Sequence, residues 1–145
     1  MSIFFLLKYK ILFCYGRFYD ILTPYFVEKT FGELKVVKFV NDLFLSDNVS
    51  VNVSNIKWKT ICGIGMVGIF FITLSHKDGE IFDIYPAANF KQKFFRRGDY
   101  VVLGIAGNYA QATNLVGEMV SSALNATGDI NKVKDFYIDY VKEHS

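Results

Sequence analysis

The sequence has few of the residues that usually mark chemistry. Two cysteines and two histidines occur among 145 residues. Cys14 and Cys62 lie far apart with no Cys or His beside them, which is not zinc spacing and is a poor disulfide framework. A reducing cytoplasm is the default compartment. His76 falls at a turn and His144 near the C-terminus, each without a visible partner, so both read as surface histidines rather than general bases. With no complete constellation for catalysis or metal binding, we assign no catalytic, cofactor-binding or metal residue and no cofactor. Charge of one sign is also scarce: 16 Lys and Arg against 14 Asp and Glu leave +2, too little to argue for nucleic acid or a membrane surface from field strength. Long apolar runs are missing as well. Ile3 to Phe26 is broken by Lys8, Lys10, Arg17 and Asp20, and Ile61 to Leu74 is shorter than the ~20 residues that cross a bilayer. The N-terminus lacks the charged start and small-residue cleavage site of a signal peptide. Asn-x-Ser/Thr tripeptides at Asn48, Asn52 and Asn125 matter only in a secreted protein.

What is present is a core. The chain is 52% hydrophobic and 17% aromatic, which suits one folded domain. We expect an aromatic N-terminal extension over residues 1–29 and a single α+β domain over 30–145. The most informative stretch is Asp99 to Asn125. Tyr100 to Ile105 is apolar and β-branched, as in a strand buried on both faces. Asn108 with Gln111 opens a helix whose apolar face carries Ala112, Leu115, Val116, Met119, Val120, Ala123 and Leu124. Gly128 ends it in the left-handed conformation, and Asp129 or Asn131 caps a last helix through Ile130, Val133, Phe136, Tyr137, Tyr140 and Val141. Gly107 is expected at a sharp turn or close approach that larger residues cannot make.

Upstream, Thr30 and Glu33 form a capping box before Leu34, Val37, Val40, Leu43 and Phe44, so residues 31–46 are expected to be helical. Val49, Val51 and Val53 alternate with polar residues as in a half-exposed strand. Ile56, Trp58 and Thr60 continue the alternation into a second, deeper strand from Ile61. Phe70 to Ser75 and Glu80 to Tyr85 flank Asp78-Gly79, a strong hairpin signal. Ala87 to Arg97 reads as a short helix or covered loop.

Three motifs point to possible chemistry. Gly63-Ile-Gly65-Met-Val-Gly68 matches the glycine fingerprint of a dinucleotide-binding turn, but its helix would be the β-branched Ile69 to Ser75, and Tyr85-Pro86 stands where an acid should bind ribose. A tight turn between buried strands is the plainer reading. Lys91, Lys93, Arg96 and Arg97 with Phe94 and Phe95 could neutralise phosphate and stack bases, yet one short run is better explained as a solvated helix face. Thr60 opens a strand, but Lys59 precedes it, whereas a threonine nucleophile using its own α-amine needs the chain cut there.

The element order, with VVLGIAGNYAQATNL at its centre, resembles the proteasome-type N-terminal-nucleophile (Ntn) hydrolases. The resemblance covers roughly Thr30 to Val141 in architecture and Val101 to Leu115 in residue detail. It implies two sheets sandwiched between helix layers. Registered on the family's first half, Lys59 takes the nucleophile position and Ser75 the acid. Registered on the second half, which we prefer, residues 31–46 are the helix before the strands. The resemblance thus implies a non-catalytic proteasome-like subunit or fragment acting by assembly, a homo- or hetero-oligomer built through helix faces and the N-terminal segment. Were it an enzyme, it would be a threonine-type peptidase. The alternatives are a Rossmann-like nucleotide-binding domain on Gly63 to Gly68 and a membrane-associated interaction protein. Nucleic acid is not expected as a partner, and membrane contact is not favoured.

Overall fold

The computed structural model describes residues 37–92, 94–95 and 98–145. The boundary at residue 30, the Thr30 and Glu33 capping box and the aromatic segment lie outside them. The described chain runs through β1 (Lys38–Leu45), α1 (Val53–Cys62), β2 (Phe70–Leu74), β3 (Phe82–Pro86), β4 (Val101–Ala106), α2 (Tyr109–Thr127) and α3 (Val133–His144). A short 3-10 turn leads into α1, another covers Ala87–Lys91 and a third precedes α3. The architecture is α+β: one mixed four-stranded sheet in the order β1-β4-β2-β3. β1 runs parallel to β4, while β2 is antiparallel to both β4 and β3.

β4 is the central strand expected from its apolar run, and Val102, Leu103, Ile105 and Ala106 have no solvent exposure. Its register against β2 steps from Gly104 opposite Ile72 to Val102 opposite Thr73, so Leu103 is the extra residue of a bulge. The bulge re-sides the strand. Val102 and Ile105 join one core with Val49, Ile56, Phe71 and Phe90, under α1 and the 87–91 turn. Leu103 joins a second core with Val40, Ile72, Leu115, Met119 and Tyr137, under α2 and α3. Helices therefore cover both faces of the sheet.

The carboxyl-terminal half follows its local signals. Asn108 Oδ1 accepts the Gln111 N–H at 2.8 Å, and Gln111 Oε1 reaches back one residue further, to the Gly107 N–H at 3.2 Å. Gly128, at φ 72°, closes α2, and Asp129 Oδ1 accepts the Asn131 N–H at 2.9 Å before α3. α3 is then fastened at three points. The Tyr137 hydroxyl donates to Met119 O at 2.6 Å, the Tyr140 hydroxyl to Asp42 O at 2.6 Å, and Lys134 Nζ to Lys77 O at 2.9 Å. Tyr137 is fully buried, with the Phe82 ring 5.0 Å and the Phe136 ring 5.2 Å away. The hairpin also forms, with Ile72 opposite Ile84 and Gly79 at φ 83° in its turn.

The amino-terminal half departs from expectation. The helix expected over 31–46 is strand β1 across Lys38–Leu45, one of the elements that the second-half registration used. Its register slips between Phe39 and Phe44. That irregularity spaces Val37, Val40, Leu43 and Phe44 three or four apart and imitates a helical stripe. The strand expected at 49–54 is instead a 3-10 turn running into α1, and the alternation of Ile56, Trp58 and Thr60, with the start of the strand expected from Ile61, lies within α1. Ile56 and Thr60 are buried one helical turn apart, a spacing that alternation also satisfies.

Gly107 is also not the crowded glycine. Its φ is not positive, and the nearest atom to an added β-carbon is the mobile Gln111 Oε1 at 3.0 Å. At Gly104, inside β4, an added β-carbon would meet Phe44 O at 3.1 Å, Ile72 Cδ1 at 3.2 Å and Leu115 Cδ2 at 3.4 Å. Gly104→Val should therefore overpack the sheet and cost about 2–3 kcal/mol, whereas Gly107→Ala displaces one flexible side chain and costs under about 1 kcal/mol. Urea denaturation of both variants beside the parent measures the difference, and equal losses would contradict it.

Candidate functional site

β1 and β4 are parallel neighbours whose chains leave toward opposite faces. After β1 the chain enters α1, over the core of Val49, Ile56 and Phe71; after β4 it enters α2, over the core of Leu115, Met119 and Ala123. Such divergence opens a crevice beyond the carboxyl ends of the two strands, the usual binding position in open α/β sheets. A cleft of about 550 Å³ lies there.

Three separate segments line it. Asn48, Val49, Asn52, Asn55, Ile56 and Lys59 come from the end of β1 and one side of α1; Gly65 to Ile69 form the opposing loop; Gly107 comes from the β4–α2 junction. The loop and junction are neighbours: a β-carbon on Gly68, at φ 80°, would make ordinary contact with Gly107 O at 3.9 Å. Val49 and Ile56 are buried and supply apolar floor. Lys59 is half-buried, and its ammonium group makes no hydrogen bond or ion pair among the described residues. Among the described residues no aspartate or glutamate lines the cleft. The site thus offers one cation, three side-chain amides and a glycine-rich backbone against an apolar floor.

The glycine fingerprint therefore does line the cleft, but in the order helix, loop, strand. Gly63 is the left-handed cap of α1, at φ 72°, and β2 begins at Phe70. A dinucleotide turn needs strand, loop, helix, so that helix amides meet the pyrophosphate. Thr60 is likewise not in a strand: it lies within α1, and its hydroxyl donates to Ile56 O at 2.8 Å. The asparagines and Lys59 went unrecognised because their segment was read as extended. Of the basic run, Lys91 ends the 87–91 turn and its side chain passes 3.5 Å from where a Gly65 β-carbon would sit; Lys93, Arg96 and Arg97 lie outside the described residues.

A second gathering of polar groups lies between β2 and β3. Thr73 stands opposite Asp83, and its buried hydroxyl has no hydrogen-bond partner. The Tyr85 hydroxyl donates to Asp83 Oδ2 at 3.3 Å. Both histidines have partners after all. His76 Nε2 donates to Asp99 O at 3.1 Å beside the Tyr100 ring, and His144 Nδ1 donates to Tyr140 O at 2.8 Å. His76 is directed at a backbone carbonyl and not at Ser75, whose hydroxyl accepts the Lys77 N–H at 3.2 Å, so no nucleophile and base pair forms here. Among the described residues no group of acids, cysteines and histidines could hold a metal, and no helix is long and apolar enough to cross a membrane.

No protein-family model, curated protein or solved structure matches this chain.

Two phenols titrate far from their usual range. Burial, then the neighbouring Asp83 and Tyr100, pushes Tyr85 from 10.0 up to about 12. Burial, then Tyr140, does the same to Tyr137. The folded chain keeps these protons where the unfolded chain releases them. Stability should be complete below pH 10.0 and fall as pH rises toward about 12. Urea midpoints measured across that window should decline, and Tyr137→Phe should flatten the decline; a parent midpoint that holds steady would contradict it.

Proposed function

We propose that this domain is a non-catalytic binding domain that holds a small polar ligand in the cleft beyond β1 and β4. The observation that carries the reading is the divergence of α1 and α2 from adjacent parallel strands, which makes a crevice at a topological switch point. Its volume of about 550 Å³ falls within the range of small-molecule sites, and its mixture of apolar floor and few polar groups is typical of them. A nucleotide is the less favoured occupant, because the loop follows a helix and no helix N-terminus opens from it.

The subunit role implied by the resemblance to proteasome-type proteins is a second reading. It is favoured by Val67, which is 98% exposed on the rim of the cleft, with exposed Ile64 and Tyr109 beside the same loop and junction. Large apolar side chains presented together mark contact surfaces. The two readings are compatible, one using the floor and the other the rim.

A thermal-shift screen of the full chain against a mixed set of small acids, amides and sugars tests the first reading. At least one compound should stabilise the protein saturably, by up to about 2.7 kcal/mol at a hundredfold excess over Kd. Asn55→Trp, which fills the cleft from an exposed position on α1, should abolish the shift while changing the unliganded stability by less than about 0.5 kcal/mol. NAD and ATP should give no shift. The proposal fails if no compound stabilises the parent, or if the shifts survive in Asn55→Trp.

A further inference from the structure

Taking the cleft as a ligand site, we infer that its ligand is a small carboxylate with a short apolar body. The inference rests on the binding reading above and names the class of ligand. Among the described residues the lining is selective in charge: Lys59 is the one cation, it has no partner, and no acid faces it. A half-buried ammonium group gains most from an anion that replaces the water it has lost.

The surrounding donors agree with a carboxylate. Asn48, Asn52 and Asn55 bring side-chain amides that form no hydrogen bond within the described chain, and the N–H groups of Gly65 to Gly68 make none to its backbone. A carboxylate has two oxygens and about four acceptor sites, which one ammonium and a few amides can satisfy. A phosphate dianion brings more charge than one lysine balances, and among the described residues no arginine lines the cleft to grip it bidentately.

The remaining lining sets the body of the ligand. Val49 is 2% and Ile56 5% exposed, and Met66 and Ile69 pack against the same core. Chain carbons placed there leave water without displacing any polar partner. The carboxylate could belong to a free acid or to the last residue of a peptide, since both present the same group on a short apolar body.

Isothermal titration of the full chain with isocaproate, its neutral isostere isocaproamide and inorganic phosphate tests the assignment. Isocaproate should bind at least about tenfold more tightly than isocaproamide, and phosphate should bind more weakly than isocaproate. Lys59→Gln should remove the preference for the acid. Lys57→Gln, on the same helix but with its ammonium 5.8 Å over the Phe39 ring, should retain it. Tighter binding of N-acetylleucine than of isocaproate would assign the carboxylate to a peptide terminus, and the reverse order to a free acid. An amide that binds as well as the acid, a preference that survives in Lys59→Gln, or tighter binding of phosphate overturns the inference. If isocaproate fails while another compound binds and is lost in Asn55→Trp, the cleft remains a binding site and only the carboxylate assignment falls.

Discussion

β4 is hydrogen-bonded along both edges, to β1 on one side and β2 on the other, and its side chains enter two separate cores. Six residues must therefore satisfy two sheet partners and two helical layers at once. Strict alternation cannot do this here, because Val102 and Ile105 belong to the same face with only two residues between them. The bulge at Leu103 supplies the missing half-period. Gly104, next to it, lets the Phe44 carbonyl, Ile72 and Leu115 close over the strand where a side chain would hold them apart. The two cores are thus linked through one short segment, and strain introduced there is felt on both sides.

The same strand explains where the cleft lies. β1 and β4 point the same way, but the helices that follow them cover different faces, so neither helix closes the gap beyond the strand ends. The loop from Gly63 to Ile69 fills part of it. Gly63 and Gly68 adopt left-handed backbone that other residues resist, and the loop reaches the Gly107 carbonyl without a side chain between them. The left-handed turns at Gly63 and Gly68, rather than crowding, are what this loop asks of its glycines. Its residues leave backbone facing a site whose opposite wall is the polar side of α1.

Legibility in the sequence followed the locality of the signals. The stretch from β4 to α3 was readable because each boundary has its own chemistry within a few residues: the Asn108 cap, Gly128 and Asp129. The hairpin was readable for the same reason, from Asp78-Gly79. β1 reads as a helix because Val37, Val40 and Phe44 fall three and four apart, and α1 reads as two strands because Val49 with Val53, and Ile56 with Thr60, each keep an even spacing that alternation also allows, although the step from 53 to 56 fits only a helix. That second error hid the site. Asn48, Asn52, Asn55 and Lys59 recur at intervals of four, three and four, a polar stripe on one side of a helix, but in an extended chain they scatter over both faces. The glycine loop is visible in the sequence, yet only folding brings it opposite that stripe. The unpartnered Thr73 hydroxyl had no readable signal, since it depends on what β2 meets across the sheet.

The bond between Tyr140 and Asp42 joins residues 98 positions apart, and its meaning is one of timing. During synthesis β1 is made early, but its sheet partner β4 follows only after the hairpin, and the helix that clasps its outer end comes last. Long-range pairing of this kind is slow because the intervening loop must first be closed. Of the described elements β1 is thus the first made and gains one of its fastenings only from the last, so α3 acts as a latch on a strand laid down long before it.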